Sequence, residues 1–148
     1  DIMKIEKMTI NDYDKVYALW LSCKGIGLNS LDDTRAGIDR FINRNPDTCF
    51  VAIDNKQIVG SILVGNDGRR GYIYHTAVEP EYQRKGIGKA LVDKSMEALN
   101  EIGINKVALV AFKQNETGNK FWDKMGFEIR GDLIYRNKSI NKFTRIDT

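Results

Sequence analysis

Residues Gln83 to Lys89 read Gln-Arg-Lys-Gly-Ile-Gly-Lys, two glycines and three cations within one short stretch. An apolar run ends just before them at Val78, and Ile87, Leu91, Met96 and Leu99 recur after them near a 3.6-residue period. The stretch therefore sits where a strand hands over to a helix. The first turn of a helix has unpaired N–H groups and the positive end of the macrodipole, which together form an anion site. Gly86 and Gly88 lack a Cβ, so a phosphate can approach the backbone. Arg84, Lys85 and Lys89 add charge around it. The chemistry expected is pyrophosphate binding; the bland alternative is a pair of turn glycines. A Walker loop does not fit, because Gly88-Lys89 is followed by Ala90 and Gln83 stands where a glycine is needed. A dinucleotide fingerprint does not fit either, because Gly86-Ile87-Gly88-Lys89-Ala90-Leu91 lacks its third glycine and the strand ends too early.

Few other residues offer chemistry. His75 is the one histidine and the usual near-neutral base, though a strand histidine also serves as a packed, hydrogen-bonded residue. By strand alternation it shares a face with Ile73 and Ala77, while Tyr74, Thr76 and Val78 point the other way. Glu79 is a carboxylate directly after the strand, either a general base or a solvated loop group. The two cysteines, Cys23 and Cys49, are too far apart for a CxxC pair, and Cys49 lies in an apolar run as a small hydrophobe. With one histidine beside them, no metal site is expected.

The whole chain sets the frame. Its 148 residues suit one domain spanning 1–148. The net charge of +3, without a basic stripe interleaved with aromatics, argues against a nucleic-acid partner. No apolar run reaches the ~18 residues that cross a bilayer, and residues 1–6 hold no apolar signal core. The expectation is a cytoplasmic protein without a membrane partner, in which Met3 is one candidate for the native start.

The elements that must position the loop follow from period and punctuation. A first helix runs from a cap at Thr9 or Asn11 through Tyr13, Val16 and Trp20 to Lys24-Gly25. Asp32-Asp33 opens a second, stopped by Asn45-Pro46. Strands are predicted over 48–53, 57–64 and 71–78 as an antiparallel meander, then a helix to Gly103, a strand over 105–112, and a helix over 115–125 ended by Gly126. Short strands over 127–129 and 133–135 follow, and the polar tail 137–148 is expected to fray. The order is β-α-α-β-β-β-α-β-α-β-β, an α+β chain with a mixed sheet between helices.

Two blocks carry a family resemblance. Gln83, Gly86 and Gly88 fill the [Arg/Gln]-x-x-Gly-x-[Gly/Ala] signature of the Gcn5-related N-acetyltransferase family, and Ala77-Val78-Glu79-Pro80-Glu81-Tyr82 resembles its usual lead-in. Asn115, Phe121, Gly126 and Phe127 are in register with the family's "N-x-x-A-x-x-[hydrophobic]-Y-x-x-x-G-F" helix. The element order agrees too, so the resemblance covers nearly the whole chain and is similar to small bacterial acetyltransferases of unassigned substrate. It implies a central, mostly antiparallel twisted sheet with a V-shaped splay, and transfer of acetyl from acetyl-CoA directly to a primary amine of a small molecule or peptide. The alternative is a CoA-binding sensor on the same fold without turnover. Homodimers are frequent in the family.

The resemblance also implies roles. The loop Gln83, Arg84, Lys85, Gly86, Ile87, Gly88 and Lys89 holds the pyrophosphate. Ala77 and Val78 pair with the pantetheine, and the Val78 N–H polarises the thioester carbonyl. Asn115 caps its helix or reaches the pantetheine amides, with Gly118, Phe121 and Trp122 beside it. Glu79 and His75 are the candidate bases. Two departures matter. Trp122 stands where many members have a tyrosine acid, and an indole N–H only donates. Val110 stands where members acting on ribosomal N-termini carry an acid. Tyr74, Tyr135 or solvent then protonates the thiolate. The loop from Cys23 to Leu31, with Asn29 inside it and Asp32 and Asp33 after it, builds the acceptor side; its carboxylates suit a cationic amine or simply a helix start.

Overall fold

The computed structural model describes residues 3–148, so the two residues ahead of Met3 lie outside it. The elements are β1 (Lys4–Lys7), α1 (Tyr13–Ser22), α2 (Arg35–Arg44), β2 (Phe50–Asp54), β3 (Gln57–Asn66), β4 (Gly71–Val78), α3 (Ile87–Glu101), β5 (Val107–Leu109) and α4 (Glu116–Lys124), with single 3-10 turns at Ile10–Asp12 and Pro80–Tyr82. The fold is α+β. One five-stranded sheet has the order β1-β2-β3-β4-β5. Its first three pairings are antiparallel and β4–β5 is parallel, as a crossover through α3 requires.

Both faces of the sheet are covered, and the strand period sorts the side chains between them. Along β2, Val51 joins a core with Val16, Trp20, Ile38 and Leu63 under α1 and α2. Its neighbours Phe50 and Ala52 join a second core with Ile62, Leu91 and Val92 under α3. Gly60 fixes how close α3 comes: an added Cβ there would stand 3.0 Å from Leu91 and 3.1 Å from Ile87. The start of α3 thus lies directly on the sheet.

β4 is irregular where it matters. Ile62 pairs with Thr76 and Val64 with Ile73, so β3 advances by two residues while β4 advances by three. Tyr74 and His75 share one position as a β-bulge. The bulge corrects the expected alternation. Ile73 packs in the α3 core, whereas His75 stacks edge-on against Trp20 at 4.9 Å and Ala77 joins the α1–α2 core. Tyr74 also turns to that side and meets Phe41 at 5.5 Å.

Three other expectations change. The second helix starts at Arg35, with Thr34 as the cap accepting from Gly37 N at 3.0 Å; Asp33 is buried instead, 4% exposed. The strand predicted over 105–112 is regular only at Val107–Leu109. Residues 127–129 and 133–135 form no ladder, because strand-like patterns become strands only with a partner edge. The tail is not loose throughout: Asp147 accepts from Ile26, Gly27 and Leu28 N–H at 3.0, 3.3 and 2.7 Å, and Ile146 N donates to Leu28 O at 3.0 Å. A carboxylate in a backbone nest is a favourable end for a chain segment.

Candidate functional site

The glycine loop lies at the start of α3. Ala90 N donates to Gly86 O at 3.0 Å to close the first turn, so the N–H groups of Ile87, Gly88 and Lys89 have no partner within the helix. Gly86 is the cap residue at φ 82°. Arg84 also has a left-handed φ of 64°, while Lys85 between them does not. That alternation is the pattern of an anion-binding nest, and a non-glycine residue held at positive φ costs about 1–2 kcal/mol, a kind of strain that gathers at ligand sites. Nothing lies within 4 Å of an added Cβ at Gly86, so the space over the loop is open.

The side chains around the loop divide the labour. Gln83 donates its Nε2 to Val78 O at 3.2 Å and ties the loop to the strand end. Lys85 sits 5.1 Å from the Tyr82 ring centroid, a cation–π contact. Lys89 pairs with Asp93 one turn on, a surface pair worth little. Ile87 is buried and contributes its backbone rather than its side chain.

A gap leads away from the loop. β4 and β5 pair only from Gly71–Val107 to Ile73–Leu109; past the bulge they part. Glu79 N donates to Val59 O at 2.8 Å, and Ala77 is paired with Ser61 two residues earlier. Hydrogen-bonded sides alternate along an antiparallel strand, so Glu79 and Ala77 address β3 while Thr76 and Val78 address the gap. Thr76, not Ala77, therefore presents the second backbone N–H there.

α4 closes the far side. Asn115 caps it by accepting from Gly118 N at 3.0 Å, and an added Cβ at Gly118 would fall 2.5 Å from Asn115 Nδ2. An added Cβ at Gly88 would stand 3.1 Å from the Phe121 ring. The two blocks seen in the sequence thus meet. Trp122 packs edge-on between Phe121 at 4.9 Å and Phe127 at 5.1 Å.

The loop before α2 and the end of β4 hold the two candidate bases in different states. His75 Nε2 is 2.6 Å from Asp33 Oδ1, with the side chains 11% and 4% exposed. Asp33 also accepts from Asn29 N at 2.8 Å, and its backbone carbonyl accepts from the Tyr13 hydroxyl at 2.6 Å. The sequence offers Asp33 as a helix start or as a carboxylate facing a cationic amine; its pairing with His75 spans 42 positions that no local signal bridges. Glu79 accepts from Glu81 N at 3.3 Å, capping the 3-10 turn, and among the described residues its second oxygen has no such bond. Cys23 Sγ donates to Val78 O at 3.5 Å. Burial pushes that thiol up, and Glu79 nearby adds to it. At the vertex of the gap Tyr72 meets Tyr74 at 4.8 Å. Burial, then Tyr135 and Tyr74, push the Tyr72 phenol up to about 12.

A model described as Acetyltransferase (GNAT) family matches residues 13–127, and the chain belongs to that family. It is 30% identical over 138 residues to an acetyltransferase, SG1711, of Sodalis glossinidius, covering 93% of this chain and 96% of that protein. Among solved structures it is similar to the PaiA N-acetyltransferase of Thermoplasma acidophilum in complex with coenzyme A, at TM-score 0.78 and 20% identity over 88% of this chain and 92% of that one. It is also similar to AAC(6')-Iy in complex with a bisubstrate analogue, CoA-S-monomethyl-acetylneamine, at TM-score 0.73 and 18% identity over 94% and 99%. At these identities the two structures share the fold.

Proposed function

We propose that this protein transfers the acetyl group of acetyl-CoA directly to a primary amine of a small molecule or peptide. One observation carries the reading: β4 leaves β5 after the Ile73–Leu109 pair, and the gap that opens leads from the vertex to the glycine nest at the start of α3. A long ligand with a pyrophosphate at one end and amide groups along an extended arm matches that path. The nest at Gly86 and Gly88, with Arg84 and Lys85, holds the phosphates. The Thr76 and Val78 backbones pair with the arm as an added strand would.

Bound acetyl-CoA supplies a thioester carbonyl. The Val78 N–H donates to its oxygen as charge develops there. Glu79, through a water, takes a proton from the acceptor ammonium, so the nitrogen lone pair can form the new C–N bond as the C–S bond breaks. The His75 ring, held between Asp33 and Trp20, keeps the acceptor loop docked on β4; its Nε2 is engaged, which favours Glu79 as the base. Burial, then Tyr135 and Asp32, raise the Tyr74 phenol, but its ring lies against Phe41 and Tyr72 away from Val78, which leaves solvent to protonate the departing sulfur.

The test is thermal unfolding with acetyl-CoA, CoA, ATP or NAD, followed by a thiol-release assay over a panel of amines. A ligand at ~100 times its dissociation constant adds about 2.7 kcal/mol. Stabilisation by the two CoA species alone, then thiol release with an amine, is the expected result. Stabilisation without release from any amine would favour a CoA-binding sensor, a reading that rests on Trp122 standing where a proton donor is common.

A further inference from the structure

The loop after α1 crosses the gap from one bank to the other. At its start Cys23 Sγ donates to Val78 O on β4 at 3.5 Å, and the Glu79 carboxylate is near enough to act on the same thiol. Further on, a Cβ added to Gly25 or Gly27 would stand 3.7 or 3.8 Å from the ring of Phe112, which follows β5. At its far end Asn29 N donates to Asp33 at 2.8 Å, and Asp33 in turn meets His75 at 2.6 Å. Residues 23–29 thus roof the space in front of Val78 and Glu79.

This roof does not hold its own shape. Gly25 and Gly27 have φ of 68° and 88°, and glycine loses more freedom on ordering than any other residue. Residues 24–28 belong to no helix or strand. Their order comes from residues 144–147, which run antiparallel beside them. Ser30 N donates to Thr144 O at 2.9 Å and Ile146 N to Leu28 O at 3.0 Å. Thr144 N donates to Ser30 Oγ at 2.8 Å, and Asn29 stands opposite Arg145. Asp147 completes the contact: one carboxylate oxygen accepts from Ile26 and Gly27 N–H, the other from Leu28 N–H. Among the described residues no cation pairs with it. Successive amides converging on one anion form a nest, and bonds to an ionised acceptor are roughly twice as strong as neutral ones.

On the amine-transfer reading above, we infer that Asp147 is a positioning residue for the acceptor: its carboxylate fixes the 26–28 backbone and keeps the roof over Val78 and Glu79 ready to receive the amine. It bonds to none of the groups assigned to acetyl-CoA. A roof ordered only a fraction of the time weakens acceptor binding by that fraction, while the chemical step in the filled site is unchanged. Loss of such uniform binding raises KM and spares kcat.

The experiment compares wild type, Asp147→Ala, Asp147→Glu and Ser30→Ala as full chains, with an amine found by the thiol-release panel. Hydrogen exchange of the Ile26–Leu28 amides, stabilisation by acetyl-CoA, and kcat and KM for the amine are read together. In Asp147→Ala the expected result is faster exchange at 26–28 and wild-type stabilisation by acetyl-CoA. The amine KM rises about tenfold or more and kcat stays within about threefold. Asp147→Glu, which keeps the charge and both oxygens, recovers part of the KM. Ser30→Ala, which removes only the acceptor for Thr144 N, raises it less. An active wild type whose amine KM is unmoved in Asp147→Ala overturns this role alone, as does a fall in kcat at constant KM. Where Asp147→Ala loses its stabilisation by acetyl-CoA, Ser30→Ala decides by the same split. A wild type that acetyl-CoA stabilises but that releases thiol with no amine overturns the transferase reading, and this role with it.

Discussion

Asp33 and His75 meet at 2.6 Å across 42 positions of the chain, and this contact joins the loop before α2 to the bulge of β4. Removing one member of a buried hydrogen-bonded pair leaves the other unsatisfied, typically at about 1–3 kcal/mol. Asp33→Ala is expected to lose stability on that scale in urea unfolding. Asp33→Asn, which keeps one acceptor oxygen for Asn29 N and turns an N–H toward the ring in place of the other, loses less. Equal stability of Asp33→Ala and wild type would mean the pair contributes nothing to docking the loop.

Gly86 and Gly88 make different demands. At Gly86 a side chain enters open space and must accept a left-handed φ of 82°. Gly86→Trp should fold, at a cost of about 1–2 kcal/mol, and lose the thermal shift with acetyl-CoA. At Gly88 a Cβ presses on Phe121 at 3.1 Å, so Gly88→Ala should weaken binding by displacing α4. Gly88→Ala/Phe121→Leu should recover part of it, which a titration of acetyl-CoA against all three variants checks. Wild-type affinity in Gly86→Trp would move the pyrophosphate elsewhere.

The parts of this site that were legible in the sequence are those specified by local spacing. Gln83, Gly86 and Gly88 are neighbours, and a helix start after a strand end follows from period alone. The bounds of β4, Gly71–Val78, were read correctly for the same reason. What escaped was non-local. No pattern near Asp33 announces His75, and none near Asp147 announces the Ile26–Leu28 amides. The bulge at Tyr74–His75 is a property of pairing with β3, invisible in β4 itself, and it reversed the face assigned to Ile73 relative to His75. Residues 127–129 and 133–135 have strand-like composition, but a ladder needs an edge, and none among the described residues reaches them.

Glu79→Gln retains an acceptor for Glu81 N, so the 3-10 turn and the loop after it should hold. Turnover is expected to fall by ~10²–10⁴-fold, the usual worth of a general base, with acetyl-CoA affinity within a few-fold of wild type. Single-turnover rates across pH are the decisive measurement. A variant that keeps the wild-type rate and pH profile would remove Glu79 from the chemistry.

Cys49 makes stability depend on alkaline pH. Burial pushes its thiol up to about 12, above the ordinary value of the unfolded chain. Its contribution is therefore whole below the unfolded pKa. As pH rises further the unfolded state ionises first, and stability falls by about 1.4 kcal/mol per pH unit until the folded pKa is reached. Unfolding midpoints measured from pH 8 to pH 11 should decline more steeply for wild type than for Cys49→Val. Parallel slopes would mean that the tyrosines, not this thiol, set the alkaline limb.

The bulge in β4 also acts as a spare frame in the strand. Tyr74 and His75 occupy a single rung opposite β3, so excising Tyr74 leaves Thr76, Ala77 and Val78 on their present rungs. A one-codon loss nearer the strand's end has no such slack: the residues between the lesion and the bulge would exchange inside for outside. β4 can thus lose a residue at one place and keep its reading.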